Sequence, residues 1–143
     1  MKAIILTLLL TASAFAHAPG EKLESGPNGG RLITATDPRV EFFVTPDRKV
    51  QFTFVDAAGN PIAPAGQTIT VTTGERSAPT KLTFTKTNTT LLADQPLPSG
   101  TAWPAVIQIK VTPDSKTITE KFTLDLATCS GCKKPEYACT CAH

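Results

Sequence analysis

Six stretches of this chain, residues 40–44, 50–55, 68–73, 80–85, 105–111 and 117–124, are rich in Val, Ile, Thr and Phe and mostly alternate with a period of two. Only an extended backbone places every second side chain on one face, so a chain written this way is committed to sheets. Branched and aromatic side chains suit the pleated surface of a strand. Shorter pieces at 31–34 and 89–92 complete a set of seven or eight strands. Turn signals separate them, among them Pro46-Asp47, Gly59-Asn60-Pro61, Pro64-Ala65-Gly66, Pro98-Ser99-Gly100 and Pro113-Asp114-Ser115. No stretch after residue 16 has helical periodicity. The pattern predicts an all-β chain, a single antiparallel β-sandwich of immunoglobulin-like or fibronectin-like type over residues 31–126. The chain has no Cys…Trp…Cys core, so a true immunoglobulin domain is not expected.

Alternation also predicts the core. Phe52, Phe54, Ile69, Val71, Leu82, Phe84, Val106, Phe122 and Leu124 fall on inward positions, while the intervening Thr, Gln, Lys and Glu face outward. Trp103, before Pro104 at the entrance to a strand, is expected to seal a corner of the sandwich.

The first residues read differently. Met1-Lys2 is a short basic start, residues 3–10 are almost unbroken apolar, and Ala14-Phe15-Ala16 is an A-x-A cleavage signal before His17. Residues 1–16 therefore read as a signal peptide. The apolar run is shorter than the roughly 20 residues a spanning helix needs. The expected mature chain starts at His17, is periplasmic or secreted, and has no membrane span. Lys and Arg number 14 against 12 Asp and Glu, and cleavage removes Lys2. A balance so near zero offers nucleic acid no electrostatic attraction.

Chemistry concentrates at the other end. Residues 127–143 hold all four cysteines, Cys129, Cys132, Cys139 and Cys141, and one of the two histidines, His143. A CxxC followed by a CxC on so short a segment must be closed by a metal ion or by disulfides. Four thiolates make a tetrahedral site for zinc or a digonal-to-trigonal site for copper(I), with His143 as a further ligand. CxxC lets two sulfurs reach one ion across a tight turn, which Gly131 eases, and the CxC leans toward soft cluster-forming metals. If the cysteines are instead disulfide-bonded, as an oxidising compartment favours, they hold no metal. A Cys139–Cys141 bridge closes a very small ring, so a crossed pairing is expected. Disulfide exchange at Cys129-Ser130-Gly131-Cys132 is a third reading. Redox CxxC motifs, however, open a helix, and this one follows a strand.

At a new N-terminus, the amine and imidazole of His17 form a candidate copper chelate, with His143 the only other histidine that could join it. Pro19 interrupts continuous amide coordination. The chain shows no Ser-His-Asp set, no paired catalytic carboxylates and no phosphate-cradling loop, so it is read as a non-enzyme. The insert of residues 133–137 between the cysteine pairs is a candidate contact surface for a periplasmic protein partner.

Residues 26–32, Gly-Pro-Asn-Gly-Gly-Arg-Leu, followed by 40–44 and 48–62, carry a family resemblance. The segment resembles the small β-rich N-terminal domain, with its GP[HN]GG[RK] signature, of periplasmic adaptor subunits of RND-type heavy-metal efflux pumps and of related short exported proteins. The likeness spans residues 26–110 and implies a metal-associated β-domain linked to heavy-metal efflux. Asn28 stands where a histidine ligand often sits in that signature, so metal ligands are expected elsewhere. On local chemistry, residues 27–30 supply the positive φ angles of a tight turn into the first strand, and a backbone nest for an anion is the other reading.

Taken together, the sequence predicts a lead and Gly-rich turn over residues 17–30, a sandwich, and a cysteine-rich tail. The expected function is holding or buffering copper or zinc through Cys129, Cys132, Cys139, Cys141 and His143, with His17 as a further candidate. The alternative is a structural or protein-binding sandwich whose tail is closed by two disulfides.

Overall fold

The computed structural model describes residues 22–141. Residues 1–16, read above as a signal peptide, His17 and His143 lie outside the described residues. Among the described residues, eleven strands form two antiparallel sheets. The first sheet holds β1 (Glu24–Ser25), β2 (Arg31–Ile33), β3 (Arg39–Val44), β4 (Val50–Val55), β9 (Leu91–Ala93) and β8 (Phe84–Lys86) in that order, with β5 (Pro61–Ile62) also paired to β4. The second runs β11 (Ile118–Asp125), β10 (Ala102–Lys110), β6 (Thr68–Glu75) and β7 (Ala78–Leu82). This is the predicted β-sandwich with its cysteine-rich tail.

Strands outnumber the expected seven or eight for two reasons. The stretch 80–85 divides at Thr83, with β7 pairing to β6 in one sheet and β8 to β9 in the other. A period-two pattern cannot reveal that switch, because both halves are extended. The two-residue strands β1 and β5 are added by pairing with β2 and β4.

Both sheets contribute to one core. Phe42, Phe52 and Phe54 from the first and Val71, Leu82, Ile107, Ile109 and Leu124 from the second are fully buried. Phe42 meets Phe52 and Phe122 edge to face, with ring centroids 5.5 and 5.3 Å apart. Burying an aromatic or aliphatic side chain of this kind contributes about 1.5–3 kcal/mol, which makes this interface the main source of stability.

Three details depart from the predicted core. In β10 the inward set is Trp103, Ala105, Ile107 and Ile109, and Val106 lies on the opposite phase, half-buried. Pairing decides this: Ile107 opposes Val71 and Ile109 opposes Ile69, while Val106 opposes the half-buried Thr72. Phe84 and Phe122 pack against the core and remain half-buried. Glu41 lies on the outward phase of β3 yet is fully buried, because the Gly-rich turn folds over it. Trp103 seals its corner as expected, 4% exposed, with the Arg48 guanidinium 5.6 Å from its ring centroid.

The turn of residues 26–30 is both a turn and a nest. Gly29 takes φ +84°, and Gly29 N–H donates to the Gly26 carbonyl at 3.1 Å. The backbone N–H groups of Asn28 and Gly30 donate to Glu41 Oε1 at 2.9 and 2.7 Å, and Asn28 Nδ2 donates to Oε2 at 2.7 Å. The anion in the nest is the protein's own carboxylate. Two of its glycines leave no room for a side chain: a Cβ on Gly30 would strike the Phe42 carbonyl, and one on Gly26 would strike Glu41.

Candidate metal centre

The tail is built onto the sandwich step by step. After β11, Leu126 N–H donates to Thr101 O at 2.8 Å and Ala127 N–H to Asp125 Oδ1 at 2.8 Å. The chain then closes a turn in which Cys129 N–H donates to Lys134 O (2.8 Å) and Lys133 N–H to Cys129 O (3.0 Å). Lys133 takes φ +61°, directly after Cys132, and this left-handed residue curls the CxxC back on itself. Thr128 pairs with Pro135 in an isolated bridge, and Glu136 N–H donates to Ala127 O at 2.8 Å.

A 3-10 turn, η1 (Glu136–Ala138), follows and puts Tyr137 and Ala138 into the core. The Tyr137 ring meets Phe42 edge to face at 5.5 Å, and its hydroxyl accepts the Val44 N–H at 2.9 Å. Burial, the Glu41 charge adding to it, pushes this phenol up to about 12 against the opposing pull of the Val44 N–H. Lys134 Nζ reaches Ser25 Oγ at 2.9 Å. The tail therefore touches β1, β3 and β11 and shares the sandwich core, rather than hanging from it as a separate knot.

This anchoring brings the four predicted sulfurs together. All four Sγ atoms lie within 4.8 Å of one another. Cys139 is 3.0 Å from Cys129 and 3.6 Å from Cys132, and Cys129 is 3.9 Å from Cys141. Zinc–sulfur bonds of about 2.3 Å at tetrahedral angles require sulfurs about 3.8 Å apart, within the range seen here. None of the four is disulfide-bonded. Two are buried, Cys129 at 1% and Cys139 at 5% exposure, and Cys132 and Cys141 are half-buried.

Comparison with protein-family models, curated proteins and solved structures finds no match.

The electrostatics of the cluster are uneven. The backbone N–H of Lys134, with that of Thr140 and thiol donors Cys139 and Cys129, holds the Cys132 pKa down to about 6 against the opposing effect of burial. Cys139 is pushed up to about 12, chiefly by its hydrogen bond to Cys129, with burial adding. For Cys141 the bond to Cys139 pulls down, but contacts with Cys132 and Cys129 and burial outweigh it, and the thiol ends above its ordinary value. Thiolates crowded at this range repel one another, so Cys139 and Cys141 retain their protons until a cation replaces them. A metal ion that binds must displace those protons, and acid therefore opposes binding.

Gly131 shapes the cluster directly. A Cβ there would lie 2.9 Å from Cys141 Sγ and 3.9 Å from Cys129 Sγ. Sequence reading found the four sulfurs and this glycine. It placed Tyr137, the sole tyrosine of the chain, in an insert read as a contact surface for a partner, whereas the structure buries its ring in the core. It missed the backbone donors to Cys132, which leave no mark on residue identity. Among the described residues, no helix is long and apolar enough to cross a membrane.

Proposed function

We propose that this protein holds and buffers a soft metal ion, copper or zinc, through Cys129, Cys132, Cys139 and Cys141, in the periplasm and in association with heavy-metal efflux. The observation that carries the proposal is the convergence of four sulfurs within 4.8 Å on a segment fixed to a rigid core. Four thiolates select soft and borderline ions over calcium or magnesium, which take oxygen ligands. The signal-like residues 1–16 support export, and the resemblance of residues 26–110 to pump-adaptor domains supports the link to efflux. His17 and His143 are proposed as outer or alternative ligands on chemistry alone.

The test is native mass spectrometry of protein isolated anaerobically, paired with alkylation after denaturation. One bound copper or zinc ion, with all four cysteines alkylated on unfolding, is the expected result. A metal-free mass lower by two hydrogens for each of two bridges replaces the proposal with the second reading, a sandwich whose tail is closed by disulfides for protein interaction. The 3.0 Å approach of Cys129 and Cys139 keeps that reading in view.

A further inference from the structure

The four sulfurs are not equivalent. Cys129 and Cys139 are buried, Cys139 directly following the core residues Tyr137 and Ala138, while Cys132 and Cys141 are half-buried. Between the two cysteines of the CxxC the residues are small. Ser130 and Gly131 are exposed, and Gly131, which has no side chain, stands beside Cys141. An ion held by these sulfurs is thus shielded on one side by protein and reachable on the other.

Charge and softness narrow what reaches it. Four thiolates around a divalent ion leave a net charge of about −2, a site that repels anions unless a cation stands nearby. Lys133 is exposed and follows Cys132, whereas the Lys134 ammonium is engaged by Ser25 Oγ. An ion already selected by sulfur exchanges most readily onto sulfur.

Resting on the metal reading above, we propose that the ion enters and leaves through the Cys132–Cys141 edge by direct exchange with an incoming thiol, while Cys129 and Cys139 release it last. In the outward step a donor thiol sulfur bonds to the ion as the Cys141 or Cys132 sulfur departs. The donor's proton passes to the departing cysteine, so one metal–sulfur bond replaces another with no change in oxidation state. The donor chemistry is a soft thiolate, carried by a small thiol or by cysteines on a protein.

The test follows loss of the thiolate-to-metal absorption band of protein loaded with one cadmium ion. One arm adds glutathione, and the other adds a folded carrier protein displaying a CxxC loop. Direct exchange predicts release rates that rise in proportion to donor concentration. Glutathione alone being active identifies a small-thiol donor, and the carrier matching it identifies a protein donor. The variant Ser130→Trp, which places a bulky ring at an exposed position inside the CxxC, is expected to slow exchange several-fold with the metal stoichiometry unchanged. Pulsed alkylation of the loaded protein is expected to modify Cys132 and Cys141 before Cys129 and Cys139. Release independent of donor concentration, or alkylation led by Cys129 and Cys139, overturns the exchange route while leaving the metal reading intact. A chain that takes up no ion fails at the loading step and overturns both.

Discussion

Two turns of this protein use the same backbone device to different ends. In residues 26–30, N–H groups of Asn28 and Gly30 converge on the Glu41 carboxylate. In the cysteine turn, N–H groups of Lys134 and Thr140 converge on the Cys132 sulfur. The first is complete in itself: one buried anion meets three donors within 2.9 Å. The second gathers four thiols within 4.8 Å and supplies backbone donors to two of them, Cys132 and Cys139. A satisfied nest fixes a fold. A cluster with more negative capacity than its donors can balance is a place for a cation. The contrast teaches that charge balance, rather than turn geometry, separates a structural turn from a candidate binding turn.

The sharpest way to break the comparison is to remove the sulfurs. Replacing Cys129, Cys132, Cys139 and Cys141 by serine is expected to abolish metal uptake, a loss of about 10 kcal/mol or more of binding free energy on the scale of structural zinc sites. The sandwich is expected to stay folded, as judged by circular dichroism and Trp103 fluorescence. Collapse of the fold in that variant makes the cysteine turn structural and erases the distinction.

Tyr137→Ala comes next. Removing a core ring and the acceptor for the Val44 N–H is expected to cost about 3–5 kcal/mol in denaturant unfolding. An unchanged midpoint means that the tail is an appendage after all. The same latch responds to alkali. Its phenol is raised from 10.0 to about 12, so its contribution is fully present below pH 10 and lost as pH rises through about 12. With a single tyrosine in the chain, tyrosinate absorbance reads this directly.

Glu41→Ala empties the completed nest and strands the buried Gly30 N–H, while the N–H of exposed Asn28 can turn to water. At about 1–3 kcal/mol for an unsatisfied buried donor, a loss of that size is expected, with metal stoichiometry unchanged. Chemical denaturation beside metal titration separates the two effects. Loss of metal binding in this variant shows that the two turns are coupled.

Gly131→Ala is the finest probe. Its methyl group would press on Cys141 Sγ at 2.9 Å, so the cluster must shift. Overpacking of this kind costs about 1–3 kcal/mol, and a metal affinity lowered roughly tenfold is expected in competition with a chromophoric chelator. Unfolding of the sandwich is expected to be unaffected.

Much of this was legible in the chain. Period-two alternation located β3, β4, β6, β10 and β11, because a pleated strand with one buried face leaves that imprint on residue order. It did not show the sheet switch at Thr83 or the phase of Val106, since both depend on which neighbour a strand pairs with. Glu41 read as an outward residue, and only a turn eleven residues upstream made it an inner one.

The cysteine site divides in the same way. Sequence alone determined its ligand atoms, because soft-metal chemistry needs particular atoms at short spacing and the CxxC and CxC supply them. Tertiary structure decided that the two arms face each other, that Tyr137 ties them to the core, and that two sulfurs are buried and two half-exposed. Local spacing is a property of the chain, whereas burial and approach arise only when distant segments, here β3 and the tail, come into contact.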